Sequence, residues 1–370
     1  VSEPYIKRVR VQDFGCVKDA TLELTRLHAL IGPNDSGKTT LLRAVRTAMT
    51  HAHELFLGQP NPAMNSQSSF DDGLISTSTS IDVSLALSDA PGELHFTSQQ
   101  KKGLPHAEVS QQDKVFFRDV FDAWAPQGVT DRNANIGSLN GVGFFQRNVQ
   151  WIHFSAAAMR DPAVLFKEGD VISVEQDGRR LPAVYDAILN RGDDTFLNIA
   201  REVRSLFPSV KNIRLKNIAT DTKAFEIELI SGQRVPASFV SDGVLYFLAF
   251  AALEHLSPVS VVLLEEPENG LHPARIADVM RVLRRISERV QVILATHSPF
   301  VINELQGDEV TVVTRPDGQG TRVRRFCDTP NFGLFRESGG AGSRGLTLRR
   351  GLQAEGEESL DAVVVADGIG

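Results

Sequence analysis

Leu27-His28-Ala29-Leu30-Ile31 runs directly into Gly32-Pro33-Asn34-Asp35-Ser36-Gly37-Lys38-Thr39-Thr40, and this stretch decides the fold. The apolar run reads as a buried strand, and residues 32–39 fit the pattern of a glycine, four residues and then Gly-Lys-Ser/Thr. Leu41, Leu42, Val45 and Met49 then share one face of a helix. Strand, glycine loop and helix N-terminus in this order build an anion site. The glycines let backbone N–H groups curl around a phosphate, and the helix end adds partial positive charge. Lys38 is placed to reach the β- and γ-phosphates, and the Thr39 hydroxyl to meet Mg²⁺. Residues 32–40 are therefore the candidate nucleotide site.

Working outward, Val261-Val262-Leu263-Leu264-Glu265-Glu266 is an apolar strand with two carboxylates at its C-terminal end, where parallel sheets bind ligands. Neighbouring strand residues point to opposite faces, so the two acids have different jobs. Glu265 is expected to hold Mg²⁺ directly or through water, and Glu266 to orient and activate the attacking water. A further apolar run, residues 292–295, ends in Thr296-His297-Ser298. His297 would stand near the γ-phosphate, although a single histidine after a strand is also a common structural residue. Ser241-Asp242-Gly243 precedes an almost wholly apolar helix. It reads either as an N-cap or as an anion site, because both use the same exposed N–H groups.

The rest of the chain supplies the frame. Residues 6–14 and 20–24 read as strands around Gly15, residues 59–80 as a polar loop and 81–87 as a strand. Residues 111–124 read as a helix, with Val115, Phe116, Val120 and Phe121 apolar, and 125–142 as a loop. Strands at 149–154 and 224–230 and helices at 195–207 and 273–290 follow. Strands alternating with helices predict an α/β fold with a mainly parallel sheet flanked by helices. The chain of 370 residues is 42% hydrophobic and 23% charged, which argues against bulk disorder. Its two cysteines, Cys16 and Cys327, exclude a disulfide scaffold and a cysteine-only zinc cluster. A net charge of −7 excludes a globally basic nucleic-acid binder but leaves local patches. Candidates are Arg275, Arg281, Arg284, Arg285 and Arg289, with residues 211–216 and 322–325; solvated faces explain such clusters as well. No run of about 20 apolar residues is present and residues 1–10 lack a signal-peptide core, so a cytoplasmic protein without a membrane partner is expected.

Taken together, the four motifs resemble the ABC-type ATPases, and within them the RecF/SMC/OLD-like branch. Phe14-Gly15 and residues 20–24 are similar to that branch's opening strands, which implies an antiparallel N-terminal subdomain beside the parallel sheet. Residues 32–39 match its Walker A loop, and Ser241-Asp242-Gly243 is similar to its short signature. Residues 261–266 match Walker B, Glu265-Glu266-Pro267-Glu268-Asn269-Gly270-Leu271-His272-Pro273 resembles the OLD-family run, and Ala295-Thr296-His297-Ser298-Pro299 matches the H-loop. Two departures stand out. Glu265 replaces the usual Walker B aspartate, and the Q-loop glutamine is not evident: Ser155 and Ala156 stand there, with Gln146 and Gln150 earlier. Arg160 is similar to an arginine that relatives place nearby.

The resemblance implies catalytic roles for Lys38, Glu266 and His297, ATP and Mg²⁺ as cofactors, and a homodimer with ATP sandwiched between heads. It also implies a separate effector protein, nucleic acid as a further contact, and work in DNA repair or defence against foreign nucleic acid. The expected division is residues 1–50 and 143–314 as the two parts of one head, 51–142 as an insertion and 315–370 as a tail. The insertion shows no sustained heptads for a coiled-coil arm, and the 73 residues after His297 are too few for a Toprim nuclease domain. A transporter ATPase subunit and a non-hydrolysing ATP-sensing scaffold are the alternative readings. The absent LSGGQ and the intact Glu266 and His297 argue against them.

Overall fold

Predominantly apolar runs need cover on both faces, and here they become the central strands of a sheet. The computed structural model describes residues 4–57, 74–86, 93–101, 104–111, 114–120, 142–145, 147–256, 259–316 and 319–329. In chain order the elements begin with β1 (Tyr5–Phe14), β2 (Val17–Glu23), β3 (Leu27–Ile31), α1 (Lys38–Leu57) and β4 (Ile75–Ala86). There follow β5 (Glu93–Lys101), β6 (Leu104–Gln111), β7 (Lys114–Val120), α2 (Val142–Phe145), β8 (Asn148–Ile152), α3 (Ala156–Met159) and β9 (Ala163–Val164). Next come α4 (Leu181–Asn190), α5 (Thr195–Leu206), β10 (Val210–Ala219), β11 (Thr222–Leu229), β12 (Arg234–Pro236) and α6 (Asp242–Leu253). The last are β13 (Val259–Glu265), α7 (Pro273–Ser287), β14 (Gln291–Thr296), α8 (Pro299–Ile302), β15 (Val310–Thr314) and β16 (Arg322–Arg325).

The chain forms two compact units. The first comprises Val1–Val149, Ser260–Glu265 and Ser287–Gly370, and it contains two sheets. One has the order β16-β15-β3-β14-β13-β8, with β13, β14, β3 and β15 parallel and β16 antiparallel at the edge. The other, β2-β1-β4-β5-β6-β7, is antiparallel throughout. This is the expected α/β architecture, a mainly parallel sheet plus an antiparallel N-terminal part. Gln291 joins the two sheets: its buried amide donates to the carbonyls of Ile6 (2.8 Å) and Thr25 (2.9 Å) and accepts from the Ile6 N–H (2.8 Å). Helix α1 packs on β14 and on β1, β4 and β5.

The second unit comprises Gln150–Val259 and Glu266–Ile286. Its sheet β10-β11-β12, with β9 beside β11, is antiparallel. Every residue of α6 from Val244 through to Leu253 is buried, as a helix apolar all round requires. The Tyr185 ring packs edge-on against Phe225 with centroids 5.2 Å apart, and its hydroxyl donates to the Leu248 carbonyl at 2.9 Å, pinning α4 to α6.

The sequence reading of residues 111–124 as a helix is corrected: residues 114–120 are strand β7, paired with β6. The apolar residues there satisfy a helical spacing, but Lys-Val-Phe-Phe is also rich in strand formers, and the neighbouring β6 ladder decides between them. Residues 75–80, read as loop, open β4 and pair with β1 and β5. Residues 59–73 and 125–141 lie outside the described residues.

Candidate functional site

In the first unit, β3 leads into the glycine loop and α1 begins at Lys38. The loop turns at Asp35 (φ +62°) and Gly37 (φ +103°), left-handed backbone that glycine adopts without strain. Gly32 sits so close to the next strand that an added Cβ would lie 2.0 Å from the Val313 carbonyl oxygen. The Lys38 ammonium donates to the loop's own carbonyls, Gly32 at 2.8 Å and Pro33 at 2.7 Å. The Leu41 N–H bonds the Gly37 carbonyl at 2.9 Å and starts the helix.

The parallel register aligns the acidic strand with this loop. Glu265 pairs with Ala295, and Ala295 with Leu30; Thr296 pairs with Ile31. Gly32, Glu265 and His297 therefore share the C-terminal edge of three adjacent strands. The Thr39 hydroxyl donates to Glu265 Oε1 at 2.5 Å across 226 positions of sequence. His297 is exposed just beyond β14, where the Ser298 N–H closes a turn on the Thr296 hydroxyl at 2.9 Å.

These residues fit a magnesium nucleotide. Ser36 is 2% exposed and its hydroxyl oxygen is buried without a partner inside the loop, an acceptor and donor in want of a polar ligand. Thr39 and Glu265 supply one hydroxyl and one carboxylate side by side, oxygen donors suited to Mg²⁺. Among the described residues no group of three or more His, Cys, Asp and Glu could hold a metal ion alone. Substrate phosphates and water would have to complete the shell, as Mg²⁺ usually requires.

The other predicted residues lie in the second unit. Glu266 has φ +45°, an uncommon backbone for a non-glycine residue. Its turn is clamped on itself: Asn269 donates through Nδ2 to Glu266 Oε2 at 2.7 Å, and through its backbone N–H to the Glu266 carbonyl at 3.0 Å. Gly270 (φ +72°) then rests on the Tyr246 ring, where an added Cβ would lie 2.3 Å from Cε2. The Tyr246 hydroxyl is itself tied to the Phe154 carbonyl at 3.1 Å, so the ring cannot retreat. Burial raises the Tyr246 phenol above its ordinary pKa and keeps it a donor. Changing Gly270 to Ala is expected to lower unfolding stability by about 3 kcal/mol, combining left-handed strain with overpacking. Urea unfolding checks this, and a loss under about 0.5 kcal/mol would show that the ring yields.

Ser241 occupies the N-cap position of α6, yet its side chain makes no capping bond. Asp242 is bound instead: Arg160 Nη2 donates to Asp242 Oδ1 at 2.5 Å and to the Val240 carbonyl at 2.8 Å. Arg160 thus braces the turn that presents Ser241 and Gly243. An added Cβ at Gly243 would meet only Phe207 at 3.7 Å, so packing does not demand glycine there. Gln150 is committed to the Val174 carbonyl at 3.0 Å. The seat of Gly270 on Tyr246 was not foreseen from sequence; the Asn269-Gly270 pair, a turn former, was its available signal.

The basic clusters are largely balanced by acids. Arg275 and Arg281 both reach Asp278 (3.4 and 3.2 Å), and Arg285 reaches Glu254 (2.6 Å) and Glu202 (3.6 Å). Lys211 pairs with Glu228 (2.7 Å), Arg214 with Glu226 (3.6 Å) and Arg325 with Glu23 (2.9 Å). Among the described residues no helix is long and apolar enough to cross a membrane.

Comparison with known proteins agrees with this geometry. Residues 5–116 match the family model "AAA ATPase domain", and residues 139–303 match "AAA domain, putative AbiEii toxin, Type IV TA system". An OLD nuclease of Thermus scotoductus is 41% identical over 61 residues, 16% of this chain and 10% of the nuclease. The matched stretch is thus about a tenth of that relative's length. A crystal structure of an SMC head bound to the C-winged helix domain of ScpA superimposes with a TM-score of 0.56 at 14% identity, covering 86% of this chain and 97% of the SMC chain. That likeness speaks for the fold, and the two matched domains speak for the chemistry. With the glycine loop and the acidic strand end on one sheet edge, the chain has the fold of an ABC-type P-loop ATPase head, carries two matched AAA ATPase domains, and is similar to the OLD-like branch.

Proposed function

We propose that the protein hydrolyses ATP with Mg²⁺ between two copies of itself, and that the resulting opening and closing gates a separate effector. The observation that carries this reading is the Thr39–Glu265 contact on the sheet edge that also holds Gly32 and His297. The loop N–H groups and the α1 N-terminus bind and orient the phosphates, and Lys38 leaves its two loop carbonyls to neutralise them. Bound Mg²⁺ supplies charge that offsets the phosphate oxygens, and Thr39 and Glu265 would hold it. Glu266 accepts a proton from the attacking water, and His297 orients that water or bonds the γ-phosphate. Ser241, Asp242 and Gly243 would face the nucleotide of the other copy, with an uncommitted hydroxyl and helix N–H groups toward it.

Residues 1–50 and 143–314 would act as one head, with 51–142 inserted and 315–370 appended. Short similarity to an OLD nuclease supports a role in DNA repair or defence against foreign nucleic acid. The bound ScpA domain of the SMC head supports an effector protein as the readout. The deciding assay is ATP turnover by the purified protein. Turnover should require Mg²⁺ and fall at least tenfold in Lys38→Ala; absence of Mg²⁺-dependent turnover overturns the reading. Ser241→Ala is expected to leave stability within about 0.5 kcal/mol, since no cap is lost, while cutting ATP-dependent dimerisation and turnover about tenfold. Sedimentation with and without ATP, beside thermal unfolding, checks that separation.

A further inference from the structure

A phosphate loop works only if its peptide N–H groups face inward, and something must hold each peptide plane that way. In a planar trans peptide the C=O and the following N–H point in opposite directions. Fixing the Ser36 carbonyl therefore fixes the Gly37 N–H. The Ser36 carbonyl oxygen accepts a buried hydrogen bond from Thr321 Oγ1 at 3.0 Å, 285 positions away. Gly37 has the left-handed backbone of the loop (φ +103°), and glycine is the residue for which rotation of this plane is least hindered.

Thr321 is held independently of the loop. Its backbone N–H donates to the Cys16 carbonyl at 3.0 Å, it is 3% exposed, and β16 starts at the next residue. Cys16 Sγ lies 3.3 Å from the same hydroxyl and 3.4 Å from Thr40 Oγ1. An added Cβ on Gly37 would lie 2.3 Å from Thr321 Oγ1, so the hydroxyl occupies the space that a side chain would take. We propose that Thr321 is a positioning residue for nucleotide binding: its hydroxyl locks the peptide between Ser36 and Gly37 so that the Gly37 N–H faces the phosphate. The proposal rests on residues 32–40 being the nucleotide site. It assigns a role in the phosphate loop to a residue from the segment beyond the last recognised motif.

Thr321→Val and Thr321→Ser test it. Valine keeps the shape but sets a methyl against the Ser36 carbonyl, whereas serine keeps the hydroxyl. Equilibrium binding of MgATP, steady-state turnover and nucleotide-free thermal unfolding are compared across the set. Thr321→Val should weaken MgATP binding and raise KM roughly tenfold, the usual scale for a lost buried hydrogen bond, with kcat within about twofold. Thr321→Ser should stay within about twofold of wild type in all three readouts. Should the valine protein fail to fold, Thr321→Ala removes the hydroxyl without the opposing methyl and is expected to raise KM in the same direction. Wild-type affinity in a folded Thr321→Val or Thr321→Ala overturns the proposal, as does equal weakening by serine and valine, which marks mere packing. If the wild-type protein itself binds no MgATP, the nucleotide reading falls first.

Discussion

Replacing Glu266 with glutamine is expected to cut ATP turnover by roughly 10²- to 10⁴-fold while leaving ATP affinity within about twofold of wild type. The substitution is nearly isosteric and keeps an oxygen for the Asn269 amide, so the turn over residues 266–269 and its left-handed Glu266 backbone should survive. What is lost is the ability to take a proton from water. Glu265, with its Thr39 contact, is untouched, so the residues proposed to hold Mg²⁺ remain. An ATP-bound dimer that closes but cannot hydrolyse should accumulate and show as a lasting ATP-dependent dimer on sedimentation. Single-turnover hydrolysis and equilibrium ATP binding separate the two effects. Wild-type turnover in Glu266→Gln removes this carboxylate from the chemistry.

The second large effect is on stability against acid, and it comes from His28. This residue is the second of β3, fully buried, between Thr311 (Nε2 to Oγ1, 2.9 Å) and Thr25, whose N–H reaches Nδ1 at 3.4 Å. Burial first, and the positive charge of Arg325 second, push its pKa from 6.5 down to about 3. The imidazole is therefore neutral in the fold. Above pH 6.5 neither folded nor unfolded chain binds this proton, and the stabilisation is complete. As pH falls from 6.5 towards 3, only the unfolded chain takes the proton, and stability drops by about 1.4 kcal/mol per pH unit. Between pH 7.5 and 4.5 this one group should remove about 3 kcal/mol. Carboxylates titrate in the lower part of that range, so the informative quantity is the slope difference between wild type and His28→Asn, which has no proton to gain. Urea unfolding at several pH values should show a wild-type slope steeper by about one proton. Equal slopes would show that His28 is charged or solvated in the fold.

The strands and helices around residues 27–57 were legible because a mostly apolar run, a glycine loop and a helical stripe follow one another without a gap. The same holds for β13 and β14, each bounded by polar residues at the sheet edge. The error at residues 111–124 arose where Val115, Phe116 and Val120 suit either period, and only the β6 ladder, invisible in a local window, decides. Ser241-Asp242-Gly243 was legible as a helix start but not in its detail. The N-cap serine leaves its cap unmade, while Asp242 is taken by Arg160, 82 positions away. The brace of Thr321 on the glycine loop had no sequence signal at all. A threonine before a short strand is ordinary, and its partner, Ser36, lies 285 positions upstream.

That separation has a consequence during synthesis. The ribosome completes α1 by residue 57, but β3 pairs with β14 and β15, Thr39 with Glu265, and Ser36 with Thr321. At about 5–20 residues per second, the 285-residue interval takes roughly 15–60 s. For most of that time the nascent chain carries a largely apolar strand without either neighbour, and for all of it a phosphate loop without its brace. Such a strand is a target for chaperones and for aggregation, and the loop gains its nucleotide-binding shape only when translation has passed residue 321.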